Sequence, residues 1–137
     1  MEVKTVYTPS PDEPYMSDRQ IAYFRDKLAE QKIELTKKIE KSLGKIKSLK
    51  SAQADILDRS NSMMSLNSEV GSFERYIERV KQIEKALERI DSGSFGYCEL
   101  TGSEIGLRRL EVMPFATMSI KALESLEQDQ RTVRRFS

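Results

Sequence analysis

Two short stretches carry residue types whose spacing could do chemistry. Asp55-Ile56-Leu57-Asp58-Arg59-Ser60 sets a pair of carboxylates three residues apart. That spacing puts both on one side of a helical turn, or both at a tight bend, so that a two-point negative charge projects from the chain there. Such a pair can reorganise cationic or metal-bearing elements of a partner; its plainer role is to cap and solubilise a turn. The second stretch, FGYCELTGSEIGLRRLEVMPFATM, surrounds Cys98, the one cysteine of a chain without histidine. That inventory excludes a Ser-His-Asp or Cys-His nucleophile, a zincin, and any zinc site built only from the chain's own Cys and His. No enzymatic activity is expected, and Cys98 reads as a buried structural thiol rather than a redox sensor.

The elements that must position these residues follow from composition and periodicity. Of 137 residues 33% are charged and 38% hydrophobic, below the ~45–50% apolar content of a compact globule, so long helices that bury one stripe fit better than a packed sheet. Twenty-three Lys and Arg against 22 Asp and Glu leave a formal charge of +1, which removes the usual electrostatic argument for direct DNA binding. No run approaches the ~18 apolar residues of a membrane span, and the start MEVKTVYTPSPDEPYM lacks the order of a signal peptide. A cytoplasmic protein is expected, with no membrane contact; a single cysteine agrees with a reducing compartment.

Pro9, Pro11 and Pro14 forbid helix in an extended lead-in over residues 1–16. Ser17-Asp18-Arg19-Gln20 reads as a capping box, the serine hydroxyl accepting the N3 amide hydrogen while glutamine reaches back to the serine amide. Apolar residues then recur at Ile21, Phe24, Leu28, Leu35, Ile39, Leu43, Ile46 and Leu49, along one side of a helix whose other side is rich in Lys and Glu, including a Glu34/Lys38 pair. From Ser51 to Ser65 a Ser-, Asn- and Asp-rich break interrupts the pattern. A second stripe follows at Leu66, Val70, Phe73, Ile77, Val80, Ile83, Leu87 and Ile90. Two such stripes flanking one polar break predict an antiparallel coiled-coil hairpin over 17–92 with its tip near 53–62, each helix on the order of 50 Å long. Because the hairpin satisfies its own stripes, a monomer is expected. Gly93 is placed to end the second helix. The glycine-rich segment 93–118 is too irregular for a long helix, and Thr117 or Ser119 opens a final helix within 119–137 whose basic tail RTVRRFS reads as a frayed terminus. The fold class is therefore mainly α.

The segment from Phe95 resembles the four-cysteine zinc finger of the DksA/TraR family of bacterial transcription factors. That finger reads Cys, two residues, Cys, three residues, Ile, three residues, Arg, four residues, Pro, four residues, Cys, two residues, Cys. Cys98, Ile105, Arg109 and Pro114 stand at matching positions, while Thr101, Ser119 and Ala122 occupy the places of the other three cysteines. FGYC, EIGLRRLE and EPYM, the hairpin, and the D-x-x-D-R-A/S tip motif of the family are similar too, so the resemblance runs from about Glu13 to about Leu126.

The resemblance implies a small zinc-finger-like domain after the hairpin and a non-enzymatic regulator that binds RNA polymerase directly, through its secondary channel, and modulates initiation. On that reading Asp55 and Asp58, with Arg59 and Ser60, act at the coiled-coil tip, and Arg108 and Arg109 belong to the docking surface. The departures carry implications as well. Hydroxyl and methyl side chains cannot replace thiolate at ~2.3 Å from zinc, so no cofactor and no zinc are expected. The degenerate finger should hold its shape through Phe95, Tyr97, Ile105, Leu107, Leu110, Phe115 and Met118, with Thr101 and Ser119 bonded to local backbone. Gln82, Met113 and Leu123 stand where family members offer cations to the alarmone ppGpp, which puts a response through that site in doubt even with Arg75, Arg79 and Lys81 nearby. The rival readings are a structural coiled-coil adaptor, separated by its self-association, and a transcript-cleavage-type secondary-channel factor, separated by cleavage of backtracked RNA.

Overall fold

A computed structural model describes residues 7–52 and 59–136. Its order is α1 (Asp18–Ala52), α2 (Arg59–Ser92), α3 (Leu107–Val112) and α4 (Ile120–Phe136). The only pairing of extended backbone among the described residues is an isolated antiparallel bridge between Tyr97 and Glu104. No helix of the described residues is long and apolar enough to cross a membrane. The chain divides into two compact units, one built from residues up to Leu28 and from Lys85 onward, the other from Ala29–Glu84.

Ser17 caps α1, its Oγ accepting from the Gln20 amide at 3.3 Å. The reciprocal half differs from the expected box. Gln20 Oε1 accepts from the Met16 amide at 2.8 Å, one residue further back, and Nε2 donates to the Ser10 carbonyl at 3.1 Å. Gln20 is completely buried, so this polar side chain fastens the lead-in segment to the helix it precedes instead of closing a local cap.

The unit Ala29–Glu84 is an antiparallel helix pair. Lys32 meets Glu84 at 3.5 Å, Lys38 Nζ lies 5.9 Å from the Tyr76 ring centre, and Ser42 Oγ donates to Glu69 at 2.7 Å. Partner numbers fall along α2 as they rise along α1, which fixes the direction. Ile46 and Ile83 are buried, as both stripes predict, but Leu43 is 41% exposed and Ser42 takes the inward place beside it. Lys38 turns to Tyr76 rather than to Glu34. Helix also reaches further into the polar break than its composition suggests: α1 runs through Ala52, and Arg59–Ser65 is already α2.

In the other unit α2 ends at Ser92, with Gly93 at φ +81° donating its N–H to the Ile90 carbonyl and Ser94 to that of Arg89. Phe24, Leu28, Ile90, Phe95, Ile105 and Leu110 form the core. Phe24 packs tilted against Phe95 at 5.8 Å and edge-on to Tyr23 at 5.2 Å. Tyr97, Leu107, Phe115 and Met118 are half-buried around it. Ser119 caps α4, its Oγ accepting from the Ala122 amide at 3.2 Å. The basic tail departs from the sequence expectation, because α4 continues to Phe136; Arg134 and Arg135 in its last turn complement the negative end of the helix dipole.

Gly96, at φ +89°, lies where a Cβ would stand 2.5 Å from Met16 Sδ and 2.7 Å from its Cγ, and Met16 itself has φ +57°. Gly96→Ala therefore combines an unfavourable left-handed residue with displacement of Met16. A loss of about 2–3 kcal/mol is expected, read as a lower urea midpoint with unchanged slope.

Candidate functional site

Three positions of the finger register, Cys98, Thr101 and Ser119, meet at the thiol, and the fourth, Ala122, is bonded through its amide to Ser119. Cys98 is 3% exposed and Ala122 2% exposed. The Gly102 amide donates to the Cys98 carbonyl at 2.8 Å and the Cys98 amide to the Ser103 carbonyl at 2.7 Å, which closes a tight turn. Thr101 Oγ1 pairs with Ser103 Oγ at 2.7 Å and accepts from the Ser103 amide at 3.3 Å. The Glu99 amide donates to the Thr117 carbonyl at 2.8 Å, joining this turn to the start of α4. Burial alone would push the Cys98 thiol up, but the Thr101 hydroxyl and the backbone N–H groups of Ser119, Thr101 and Leu100 donate towards the sulfur and bring it down to about 6. Thr101 and Ser119 thus bond to local groups as expected, and Cys98 sits at the centre of their hydrogen bonds.

A second cluster had no signal in the sequence motifs. Glu111 on α3 accepts at Oε2 from Lys27 Nζ at 2.7 Å and from the Tyr23 hydroxyl at 3.0 Å, while Lys27 also donates to the Glu111 carbonyl at 2.7 Å. Tyr7 packs edge-on to Tyr23 at 5.9 Å, receives the Arg19 guanidinium over its ring at 4.1 Å, and donates its hydroxyl to Glu13 at 2.5 Å. Tyr15 donates to the Gly96 carbonyl at 2.6 Å and accepts from the Gly106 amide at 3.0 Å. Arg89 Nη2 donates to the Ser94 carbonyl at 3.0 Å and to that of Tyr97. Together these side chains hold the lead-in, α1, the end of α2 and α3 in one unit. Their long sequence separations are why local pattern did not reveal them.

Burial raises the Tyr23 hydroxyl, and its bond to the Glu111 carboxylate adds to that, so its pKa is pushed up to about 12. Burial would raise Glu111 too, but Lys27 and Tyr23 outweigh it and hold the carboxyl below its ordinary 4.5. A carboxyl depressed in the folded state contributes stability above 4.5 that is lost as pH falls through the lower folded value; a raised tyrosine contributes stability below 10 that is lost between 10 and about 12. Glu111→Gln is therefore expected to flatten the dependence of the thermal midpoint on pH below 4.5, and Tyr23→Phe to flatten it above 10. An acid limb of unchanged slope in Glu111→Gln would count against this assignment.

The remaining sequence-predicted residues are placed as follows. Arg109 Nε donates to the Met118 carbonyl at 3.0 Å, which makes it a brace between α3 and the start of α4; Arg108 is exposed. Gln82 is half-buried on α2, Met113 follows α3 and Leu123 is half-buried on α4. Asp55 and Asp58 lie outside the described residues. Arg59 and Ser60 belong to the first turn of α2, and their side chains are likewise not among those described.

Two family models match the chain: the N-terminal domain of the DnaK suppressor protein DksA over residues 20–90, and the prokaryotic dksA/traR C4-type zinc finger over residues 93–128. The RNA polymerase-binding transcription factor DksA of Caulobacter vibrioides is 40% identical over 131 residues, covering 96% of this chain and 92% of that protein. The factor of the same name from Escherichia coli K12 is 32% identical over 126 residues, covering 90% and 83%. The solved structure of transcription factor DksA2 from Pseudomonas aeruginosa superposes with a TM-score of 0.80 at 35% identity, covering 88% of this chain and 95% of that one.

The zinc-finger match corrects the expectation that the chain has no cofactor and no zinc. Residues 93–128 are matched by a C4-type zinc-finger family model, so zinc is a candidate ligand of the segment. The side chains at the four register positions end in one thiol, two hydroxyls and a methyl that can donate nothing, and no group of three or more Cys, Asp or Glu among the described residues is placed to hold a metal. That set does not compose four thiolates.

Proposed function

The chain belongs to the DksA/TraR family, and from that premise we propose that it is an RNA polymerase-binding transcription factor. It binds the polymerase directly, enters its secondary channel and modulates initiation without touching DNA and without catalytic activity of its own. It works as a cytoplasmic monomer. The observation that carries this reading is the near full-length likeness to relatives named for polymerase binding, over a chain with the antiparallel helix pair and the compact second unit. The division of labour follows from the parts. Asp55 and Asp58, which lie in the sequence between α1 and α2, present charge to the enzyme's active centre. The unit with α3 and α4 docks on the enzyme's exterior, with Arg108 as an exposed contact and Arg109 bracing the surface from within.

The test is direct binding to purified core polymerase, followed by run-off transcription from several promoters. Saturable binding with altered initiation is expected, and light scattering should show one chain per particle. No binding would overturn the reading; cleavage of backtracked RNA by the complex would replace it with a cleavage factor, and a stable dimer indifferent to polymerase would replace it with an adaptor.

A further inference from the structure

Six methionines and Cys98 are the sulfur-bearing side chains of this protein, and the fold sorts them by access. Cys98 is shut away from solvent, and Met16, Met113 and Met118 are half-buried. Met63 and Met64 are 55% and 73% exposed. Among the described residues they are thus the sulfur atoms most open to water, and both stand within about 8 Å, along the axis, of the first residue of α2. Ser62 beside them is buried, so a small polar side chain is enclosed here while two long apolar ones are left to solvent. Neighbouring helical residues point about 100° apart, and the pair therefore covers a broad side of that turn. A thioether needs no deprotonation to react with a peroxide, so access decides which methionine is oxidised. A thiol would ordinarily compete, and burial withholds Cys98 from that competition.

We propose that Met63 and Met64 form an oxidation site, with a peroxide as the oxidant, and that their conversion to methionine sulfoxide turns down the action of the Asp55–Asp58 segment on RNA polymerase. In the reaction the thioether sulfur attacks one peroxide oxygen; an S–O bond forms, the O–O bond breaks, and the other oxygen leaves as water. Sulfur is oxidised and the peroxide is reduced, with no further reactant. The inference rests on the polymerase-binding reading and adds a control to it. Asp58 precedes Met63 by five residues in the sequence, so the two methionines belong to the end of α2 that follows the charged pair. Oxidation makes each side chain polar and chiral and gives it an oxygen that must stay hydrated or find a donor. An end of the helix pair that enters a partly dehydrated channel is then held back by that oxygen. Methionine sulfoxide reductases reverse the change, which makes the site a switch rather than a lesion.

The full chain is treated with dilute hydrogen peroxide, freed of it, mapped by peptide mass and added to polymerase holoenzyme in run-off transcription. Met63 and Met64 should each gain one oxygen before Met16, Met113, Met118 or Cys98 does. The concentration of chain giving half its effect on initiation should rise about tenfold, as for burial of an unpartnered polar group, and fall back after treatment with the reductases. Met63→Leu with Met64→Leu keeps the apolar volume and lacks the thioethers; at exposed positions it should leave the thermal midpoint unchanged and make regulation indifferent to peroxide. Should that variant regulate poorly before treatment, reversal by the reductases in the wild type carries the same reading. Oxidation first at Cys98 or at the half-buried methionines would overturn the site. Selective oxidation without a change in regulation, or a loss that persists in the leucine variant, would overturn the control and leave the polymerase-binding reading standing; no effect of the untreated wild type on polymerase would overturn both.

Discussion

Phe24→Ala is expected to cost about 3–5 kcal/mol and to leave the compact unit only partly folded at ambient temperature. The ring is completely buried and packs against Phe95 and Tyr23. It joins α1 to the segment that follows α2, and among the described residues of this unit the other large fully enclosed side chains are Leu28, Leu110, Gln20 and Pro114. Removing the ring forfeits its transfer free energy and leaves a void that the neighbouring helix turns cannot close. A small domain is stable by about 5–15 kcal/mol in total, so the loss is a large share of the whole. Phe24→Leu keeps most of the volume and should cost no more than about 1.5 kcal/mol. Urea unfolding of the two variants measures the difference; an alanine midpoint within error of the leucine one would mean that the core relaxes around the void, contrary to the packing described.

The burial of Phe24 is legible in the sequence, because Phe24 repeats with Ile21 and Leu28 at helical spacing. Leu43 shows where that reading fails. At about 100° per residue Ser42 falls on the same side of Ile46 as Leu49, and Leu43 falls on the other; Glu69 then offers Ser42 a bond that makes its burial acceptable. A hydrophobic residue in phase with its neighbours by steps of four and three is not always the residue that faces inward. The cap at Ser17 is legible for the same local reason, whereas the pull of Gln20 towards Met16 and Ser10 is not, since it depends on how a proline-rich lead-in folds back. The basic tail looks like a fraying end because its apolar stripe thins out after Leu126; its helix is favoured instead by arginines placed at the dipole's negative end.

The candidate site divides in the same way. The register of Cys98, Thr101, Ser119 and Ala122 is a matter of spacing, and the fold brings Thr101 and Ser119 to the thiol, with the Ala122 amide bonded to Ser119. The Tyr23–Lys27–Glu111 cluster joins residues more than 80 positions apart, and each of its members alone looks like an ordinary surface residue of an amphipathic helix. Its consequence is structural, since it fixes α3, and with it Arg108, against α1.

Asp55→Asn with Asp58→Asn is expected to abolish the effect on initiation while leaving polymerase binding within about threefold of the wild type. The substitution removes two negative charges and almost no volume, and the buried residues that hold the helix pair, Ile46 and Ile83, are untouched, so helicity and thermal midpoint should persist. The size of the functional effect depends on where the charges act. An exposed ion pair is worth ~0–1 kcal/mol, too little to decide whether an initiating complex proceeds. Two charges about 4 Å from cationic or metal-bearing groups in a partly dehydrated channel interact at about 4 kcal/mol each, and a fraction of that changes an equilibrium more than tenfold. Run-off transcription at saturating factor separates the cases, because saturation removes any small deficit in binding. A double variant that regulates as the wild type does would show that the helix pair acts by occupying the channel alone. A variant that no longer binds would make the Asp55–Asp58 pair a docking element rather than an effector.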